Sequence, residues 1–494
     1  MFAKFPRLAY RLSRIRPHTT SFLVVGTSTT LVCLASLAAE RRTIRCDDSL
    51  QLSSERDEEE AREAFPGAFH KPRWTHQDYL SADSIFESGP IWYAGKDIGL
   101  ARCDALSVSA NPESEDSIAI FFGSNEREGD DSRSYIGLYD GHNGPATSDF
   151  LCDHLIPFLQ KTLATFPHQC DYSGYLEMSP DPSDADSDPV NDIIKQVFKE
   201  VDDSITDVSE VLSGTSRMNA VRTLRYAYSG SCALVSVFEP DTRVLRVALT
   251  GDSRAILGRR IKNKTTSDGR DMYEVHVLSQ DQNAYNKDEE ARMSAEHPGE
   301  KIMDNGRVMG WGISRSFGNG AYKWSLDVQR QLYEKFLGDR PRPNVKTPPY
   351  FTAEPVITTT IVQHGDFLIM ASDGLWDILT NEEVVGLVGV WLENNHIAVW
   401  PNNVNSFGKQ LFEDDKIYER DALPVEMKGD HTSMYKYWHA EKRFVNKDVS
   451  VAAHLIRNAL GGANDDLTEA LVSLTPPRSR RYRDDISVIV SFFE

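Results

Sequence analysis

The sequence has no C-x-x-C pair, no G-x-x-x-x-G-K-[ST] run, and no cysteine followed by arginine six residues on. The first absence argues against a zinc site or a disulfide framework, and the scattered Cys33, Cys46, Cys103, Cys152, Cys170 and Cys232 read as reduced and mostly buried. The second excludes a P-loop for nucleotides, and the third excludes a thiolate phosphatase. The acidic run DADSD (184–188) sits in a Pro/Ser-rich stretch with no preceding strand, which an aspartyl-phosphate nucleophile would need. Positive charge is scarce. The net charge is −20, yet residues 1–45 carry eight Lys/Arg and one acid. The remainder is near −27, and such a surface repels nucleic acid and anionic lipid. No internal repeats are present. The 494 residues are 40% hydrophobic, enough for a sizeable core in one large domain with insertions or in two to three average ones.

What is present begins with an unusual N-terminus. Lys4, Arg7, Arg11, Arg14 and Arg16 alternate with Phe2, Phe5, Leu8, Leu12 and Ile15 at helical spacing, without an acid. That is the pattern of a mitochondrial targeting region over residues 1–45. A plain basic tail is the bland alternative, and a secretory signal fits less well because the basic part is too long. Residues 21–39 are uncharged and just long enough to span a bilayer, although Thr27–Thr30 and Ser36 dilute them. They read as a candidate inner-membrane anchor or as part of a cleaved presequence. Residues 46–64 form an acidic linker, and 65–494 the globular domain, with expected surface insertions near 170–190 and 400–449.

Within that domain, Ala146–Phe166 and Val190–Ile205 have helical periodicity, Lys287–Glu296 reads as a helix stopped by Pro298, and Asn381–Leu392 and Val451–Leu460 read as helices, the latter capped by Gly461–Gly462. A kink is expected at Pro157. Tyr228–Glu239 and Arg243–Leu257 read as a hairpin joined by the turn PDT. Strands that follow one another directly favour an α+β fold, a central antiparallel β-sandwich flanked on both faces by α-helices, over a doubly wound parallel sheet.

Four aspartates each sit at the tip of an apolar, strand-like run: Asp140 after SYIGLY, Asp252 after VLRVALTG, Asp373 after FLIMAS, and Asp484 before ISVIVSFF. Glu115 and Asp116 precede a fifth run, Asp377 lies four beyond Asp373, and Asp485 follows Asp484. Singly, each is ordinary: a DG pair is usually a turn, and an acid pair is usually a solvated face. Together at one sheet edge they would repel unless a cation compensates. Hard divalent ions such as Mg²⁺ or Mn²⁺ prefer such oxygens. Gly141 would let a carbonyl approach a metal without a Cβ in the way, and His142 beside it could act as a general acid.

The motifs SANPESED (109–116), DGHNG (140–144), SGSCA (229–233), TGDSRAILG (250–258), LSQDQNAYNKDEEARMSAEHP (278–298), GRVMGWGISRSFGNGAYKWS (306–325), PYFTAEP (349–355), ASDGLWD (371–377) and YRDDISVIV (482–490) carry a resemblance. Over roughly residues 90–494 the chain resembles the metal-dependent protein phosphatases of type 2C, and within them the mitochondrial pyruvate dehydrogenase phosphatase branch. The resemblance implies a serine/threonine phosphatase with two Mg²⁺ or Mn²⁺ ions and a weaker third. Asp140 would bridge the two ions, the Gly141 carbonyl would bind one, and Asp373 and Asp484 would complete the pair. Glu115 and Asp116 would hold metal-bound waters, and Asp252 and Asp377, with Asp373, would form the third site. A metal-bridging water would attack phosphorus and His142 would protonate the leaving oxygen. The implied partner is the pyruvate dehydrogenase complex, through its phosphorylated α subunit; another mitochondrial phosphoprotein is the alternative.

Three departures matter. Asn111 stands where many relatives carry a phosphate-gripping arginine, so it is a candidate catalytic position with a weaker grip. Asn143 replaces a glycine, which its tolerance of positive φ allows. Asn319 replaces an aspartate after SRSFG, which puts a flap contribution to a third metal in doubt. Asn111 and Asn319 motivate a rival from another class, a pseudophosphatase that only binds partners. Arg315, Phe317, Lys323 and Trp324 suit either a substrate-reading flap or core structure, and Arg315 and Trp324 favour the latter. The targeting region implies mitochondria, in the matrix or, if 21–39 stops in the inner membrane, the intermembrane space.

Overall fold

The computed structural model describes residues 82–93, 98–123, 131–164, 188–399 and 416–494. The targeting region, the 21–39 segment, the 46–64 linker and residues 165–187 lie outside them. Among the described residues no helix is long and apolar enough to cross a membrane.

Two antiparallel sheets stack face to face. The first has five strands in the order Val356–Ile361, Val244–Thr250, Ala233–Glu239, Ser134–Tyr139, Ser117–Phe121. The second has six: Ile91–Tyr93, Leu100–Val108, Ile486–Phe493, Phe367–Ala371, Arg254–Thr265, Asp271–Val277. Side chains of both sheets, among them Ile136, Leu138, Leu234, Val247, Leu257, Met370 and Ile489, fill the space between them. Alternate residues of the same strands, such as Tyr135, Tyr139, Val235 and Val237, point outward into a helical layer. That layer holds helices Ala146–Ala164, Pro189–Thr206, Arg217–Tyr228 and Leu326–Phe336. Asn381–Val399 and Val451–Ala459 cover the outer face of the six-stranded sheet. Burial on both faces explains why the inner strands are apolar at nearly every position.

The sandwich flanked by helices is the architecture expected from the residues. Local differences have physical causes. The run Arg243–Leu257 is two strands, because Gly251–Ser253 turns the chain from one sheet into the other. The hairpin partner begins only at Ala233. Tyr228 closes a helix, Arg217–Tyr228, whose buried side is made of Ala220, Leu224 and Ala227, too small to mark a stripe. The stretch near 400–449 is more than a surface loop from Ile417 on. Tyr418, Leu423, Val425, Tyr435 and Phe444 join the core. Arg420 and Lys442 both ion-pair with the fully buried Glu383, at 2.5 and 2.9 Å.

Antiparallel pairing brings the acidic tips to one end. Thr250 pairs with Ala233 and Leu138 with Leu234, which puts the residues after Tyr139 beside those after Thr250. Ala371 pairs with both Arg254 and Val488, which puts Asp373 beside Asp252 and the start of the last strand.

Candidate metal centre

Carboxylate oxygens of Asp140, Asp252 and Asp373 lie within 4.8 Å of one another. Two come from the five-stranded sheet and one from the six-stranded sheet. Burial pushes the Asp140 carboxyl well above the usual range, and repulsion from Asp373, Asp116, Asp252 and Asp485 adds to it. Asp373 is raised in the same way, with Asp252, Asp377 and Asp116 opposing its charge and Arg480 favouring it. Asp252 is pushed up to about 6, by burial first, while a hydrogen bond from the Cys232 thiol (3.3 Å) pulls the other way. Three half-buried acids held this close are stabilised by protons or by a cation. Their hard oxygen donors suit a divalent ion of the Mg²⁺ or Mn²⁺ kind.

The neighbouring acids are committed elsewhere. Asp116 is buried and accepts a hydrogen bond from Ser372 Oγ at 2.8 Å, which ties the two sheets together beside the cluster. Glu115 clips loops instead: its carboxylate accepts from the Gly144 amide and from Asn111 Nδ2 at 2.9 Å. Its carbonyl accepts from the Gly141 amide at 3.1 Å. A Cβ on Gly141 would sit 2.4 Å from that carbonyl oxygen, so glycine is required there by close packing. Asn111 spends its amide on Glu115 and on Asp485 Oδ2 (3.2 Å), so it works as a strut of the 110–115 loop. Asp377 is exposed, one turn beyond Asp373.

The structure does not bring Asp484 into the group of three. Asp484 is 40% exposed and ion-pairs with Arg480 one turn earlier. Its neighbour Asp485 turns inward, 3% exposed, and accepts from the amides of Ala110 (2.5 Å) and Glu115 (2.8 Å). Alternation along the strand start decides which of the pair faces in, and two adjacent acids give no hint of it. A Cβ on Gly374 would meet the Asp485 carbonyl oxygen at 2.2 Å, so the turn carrying Asp373 packs directly on this backbone.

His142 is half-buried, with Nε2 2.6 Å from Asn319 Nδ2 and its ring 5.1 Å from that of Trp311. Burial lowers its pKa to about 4, against the pull of the Asn319 hydrogen bond, and the Lys323 charge lowers it further. Asn319 thus faces the histidine and Ser316 Oγ (2.9 Å). Arg315 holds Glu289 (2.6 Å), Lys323 holds the buried Asp202 (2.6 Å), and Trp324 donates to the Thr206 carbonyl (2.8 Å). All three are structural.

Sequence reasoning missed Cys232, Ser372, Asp281 and Arg254. Asp281 adds its charge to that of Asp377 against Asp252 and is itself gripped by Arg254 at 2.6 and 2.9 Å. Asp281 ends the run VHVLSQ much as the other acids end theirs, and that signal could have found it.

The pattern of the protein phosphatase 2C family matches residues 108–407. The chain belongs to the protein phosphatase 2C family. It is 38% identical over 409 residues to a protein phosphatase 2C homologue of Schizosaccharomyces pombe, which covers 80% of this chain and 81% of that protein. It is 33% identical over 421 residues to the mitochondrial [pyruvate dehydrogenase [acetyl-transferring]]-phosphatase 1 of Saccharomyces cerevisiae, covering 81% and 70%. The rat protein of the same name matches at 33% over 330 residues, covering 62% of this chain and 55% of its own. This type 2C enzyme is therefore a metal-dependent protein serine/threonine phosphatase acting on phosphoproteins.

Proposed function

We propose that this type 2C phosphatase removes phosphate from serine or threonine of the pyruvate dehydrogenase α subunit inside mitochondria. The meeting of Asp140, Asp252 and Asp373 carries the catalytic part of the reading. The names of the yeast and rat relatives and the acid-free basic N-terminus support the substrate and the compartment. Asp140, Asp252 and Asp373 would hold Mg²⁺ or Mn²⁺, two ions with a weaker third. Such ions supply positive charge that acidifies water and neutralises phosphoryl oxygens. Asp484 and Asp377 would stand at the rim of the site, and Glu115 and Asp116 would set the loops around it. Arg480 supplies a protein cation beside Asp373. His142 faces the same edge; a bound phosphoryl dianion would raise its low pKa and charge the ring, which would then pass a proton to the departing serine or threonine oxygen. Asn319 and Trp311 would fix the ring for that transfer.

The test is release of phosphate from phosphorylated pyruvate dehydrogenase with Mn²⁺ or Mg²⁺, and with a chelator. Release should require the ion, and Asp373→Asn should lower kcat by about a thousandfold or more, a loss of some 4 kcal/mol of transition-state stabilisation. Release with chelator present would refute the metal reading. Metal-dependent release from other phosphoproteins but not from this one would refute the substrate. The most similar of the reported relatives bears no substrate in its name, so that second outcome would point to another mitochondrial phosphoprotein.

A further inference from the structure

Trp311, whose ring meets His142, follows a two-residue hairpin in which Met303–Asp304 pairs with Arg307–Val308. Against this hairpin lies a cavity of about 400 Å³ lined in part by Glu300, Lys301, Asp304, Arg307, Asn344 and Lys346. Its charges are not equally committed. Lys301 is paired with Asp304 at 2.7 Å. The Glu300 oxygens accept from Thr347 Oγ1 (2.6 Å) and the Tyr350 hydroxyl (2.7 Å). Arg307 and Lys346 are exposed and have no ion pair among the described residues.

Both cations spring from rigid bases. Val308 and Val345, their chain neighbours, are fully buried in one small apolar cluster with Ile302, Tyr322 and Tyr350. The Lys346 amide donates to the Tyr350 hydroxyl at 2.8 Å. The Val308 and Trp311 backbones exchange hydrogen bonds at 2.9 and 2.8 Å, so the hairpin and the ring beside His142 move as one piece. A solvated basic face needs no cavity and no anchored stems. Arg307 and Lys346 thus stand without an ion pair at a hollow one hairpin from His142, with the Lys346 charge already favouring the Glu300 carboxylate beside it, in a chain of net charge −20.

We propose that this cavity receives an anionic group on the phosphoprotein substrate itself, in the segment flanking the phosphoester that is cleaved. That group is a carboxylate side chain or a second phosphoryl group; both offer the oxygens that Arg307 and Lys346 would pair with. The inference rests on the metal-centre reading above, which would put the phosphoester beside His142 and so its flanking segment near the hairpin.

The experiment uses the full chain with Mn²⁺ and phosphopeptides of one sequence. One has neutral flanks, one carries flanking Asp/Glu, one a second phosphoserine, and one flanking Lys. Wild type should show kcat/KM about five- to tenfold higher on the acidic or doubly phosphorylated peptide than on the neutral one, mainly through KM. Which of the two gains identifies carboxylate or phosphate as the natural occupant. R307A/K346A should erase the preference while the neutral peptide is turned over at the wild-type rate. R307E/K346E should shift the preference toward Lys flanks. Equal efficiency of wild type on all four, or a preference that survives R307A/K346A, overturns the proposal. Absence of turnover on every peptide in wild type removes the metal-centre reading and this inference with it.

Discussion

The pairing of His142 with Asn319 shows how one substitution resets a reacting group. A carboxylate at position 319 would lie within hydrogen-bond reach of the imidazole and favour its charged form. The amide carries no charge, and burial wins, leaving His142 at about 4. Asn319→Asp should therefore raise the His142 pKa by at least one unit, read from its imidazole carbon-bound protons by NMR in metal-free protein. No movement would mean that the two side chains do not face each other in solution. His142 itself was legible from DGHNG, because a histidine between metal-site residues has few other uses. Asn319 was not. Its departure from the family pattern was visible, but its partner lies 177 residues away, and only the fold puts them together. The same limit applies to Asn111, whose amide goes to Glu115 and Asp485.

At the scale of elements, Asp485 is the fastening between the 110–115 loop and the last strand. It satisfies the amides of Ala110, Asn111 and Glu115. Asp485→Ala would strand these donors, at a cost of about 2–4 kcal/mol. The expected signature is a drop of several degrees in thermal midpoint together with a weaker metal requirement curve, since Glu115 and Asp116 follow this loop. Unchanged stability would contradict the fastening. Helix identity was legible where large apolar residues keep a 3.6 period, as in Pro189–Thr206, and where a stop signal marks the end, as Pro298 does for Lys287–Glu296. It failed for Arg217–Tyr228, whose buried side is alanine-rich, and the reading of Arg243–Leu257 as one strand ran over the break that TGDS marks at Gly251–Ser253.

At the scale of the whole molecule, the acids are an electrostatic load on the metal-free fold. A carboxyl whose folded pKa is raised stabilises the protein below its unfolded pKa of 3.8, and that contribution is lost as pH rises through the folded value. For Asp252 the window is about 4 to 6, and the loss is on the order of 3 kcal/mol. Asp140 and Asp373 extend it upward, since both are raised further by burial and by their neighbours. The chelated enzyme should thus melt at progressively lower temperature from pH 4 to 7, and saturating Mn²⁺ should reverse the trend near neutrality. Calorimetry in chelator and in Mn²⁺ checks it; a flat chelated profile would contradict the crowding of these acids. Asp373→Asn should raise the chelated midpoint at pH 7 while abolishing the gain on adding ion.

The chain crosses between the two sheets at Gly251–Ser253, and Asp252 sits at that crossing. The load is therefore shared by both halves of the sandwich and borne at one rim only. An ion seated there would act as a rivet, damping sliding of one half over the other. Amide exchange at the far rim should barely notice its arrival, while strands ending at Asp140 and Asp373 should slow together.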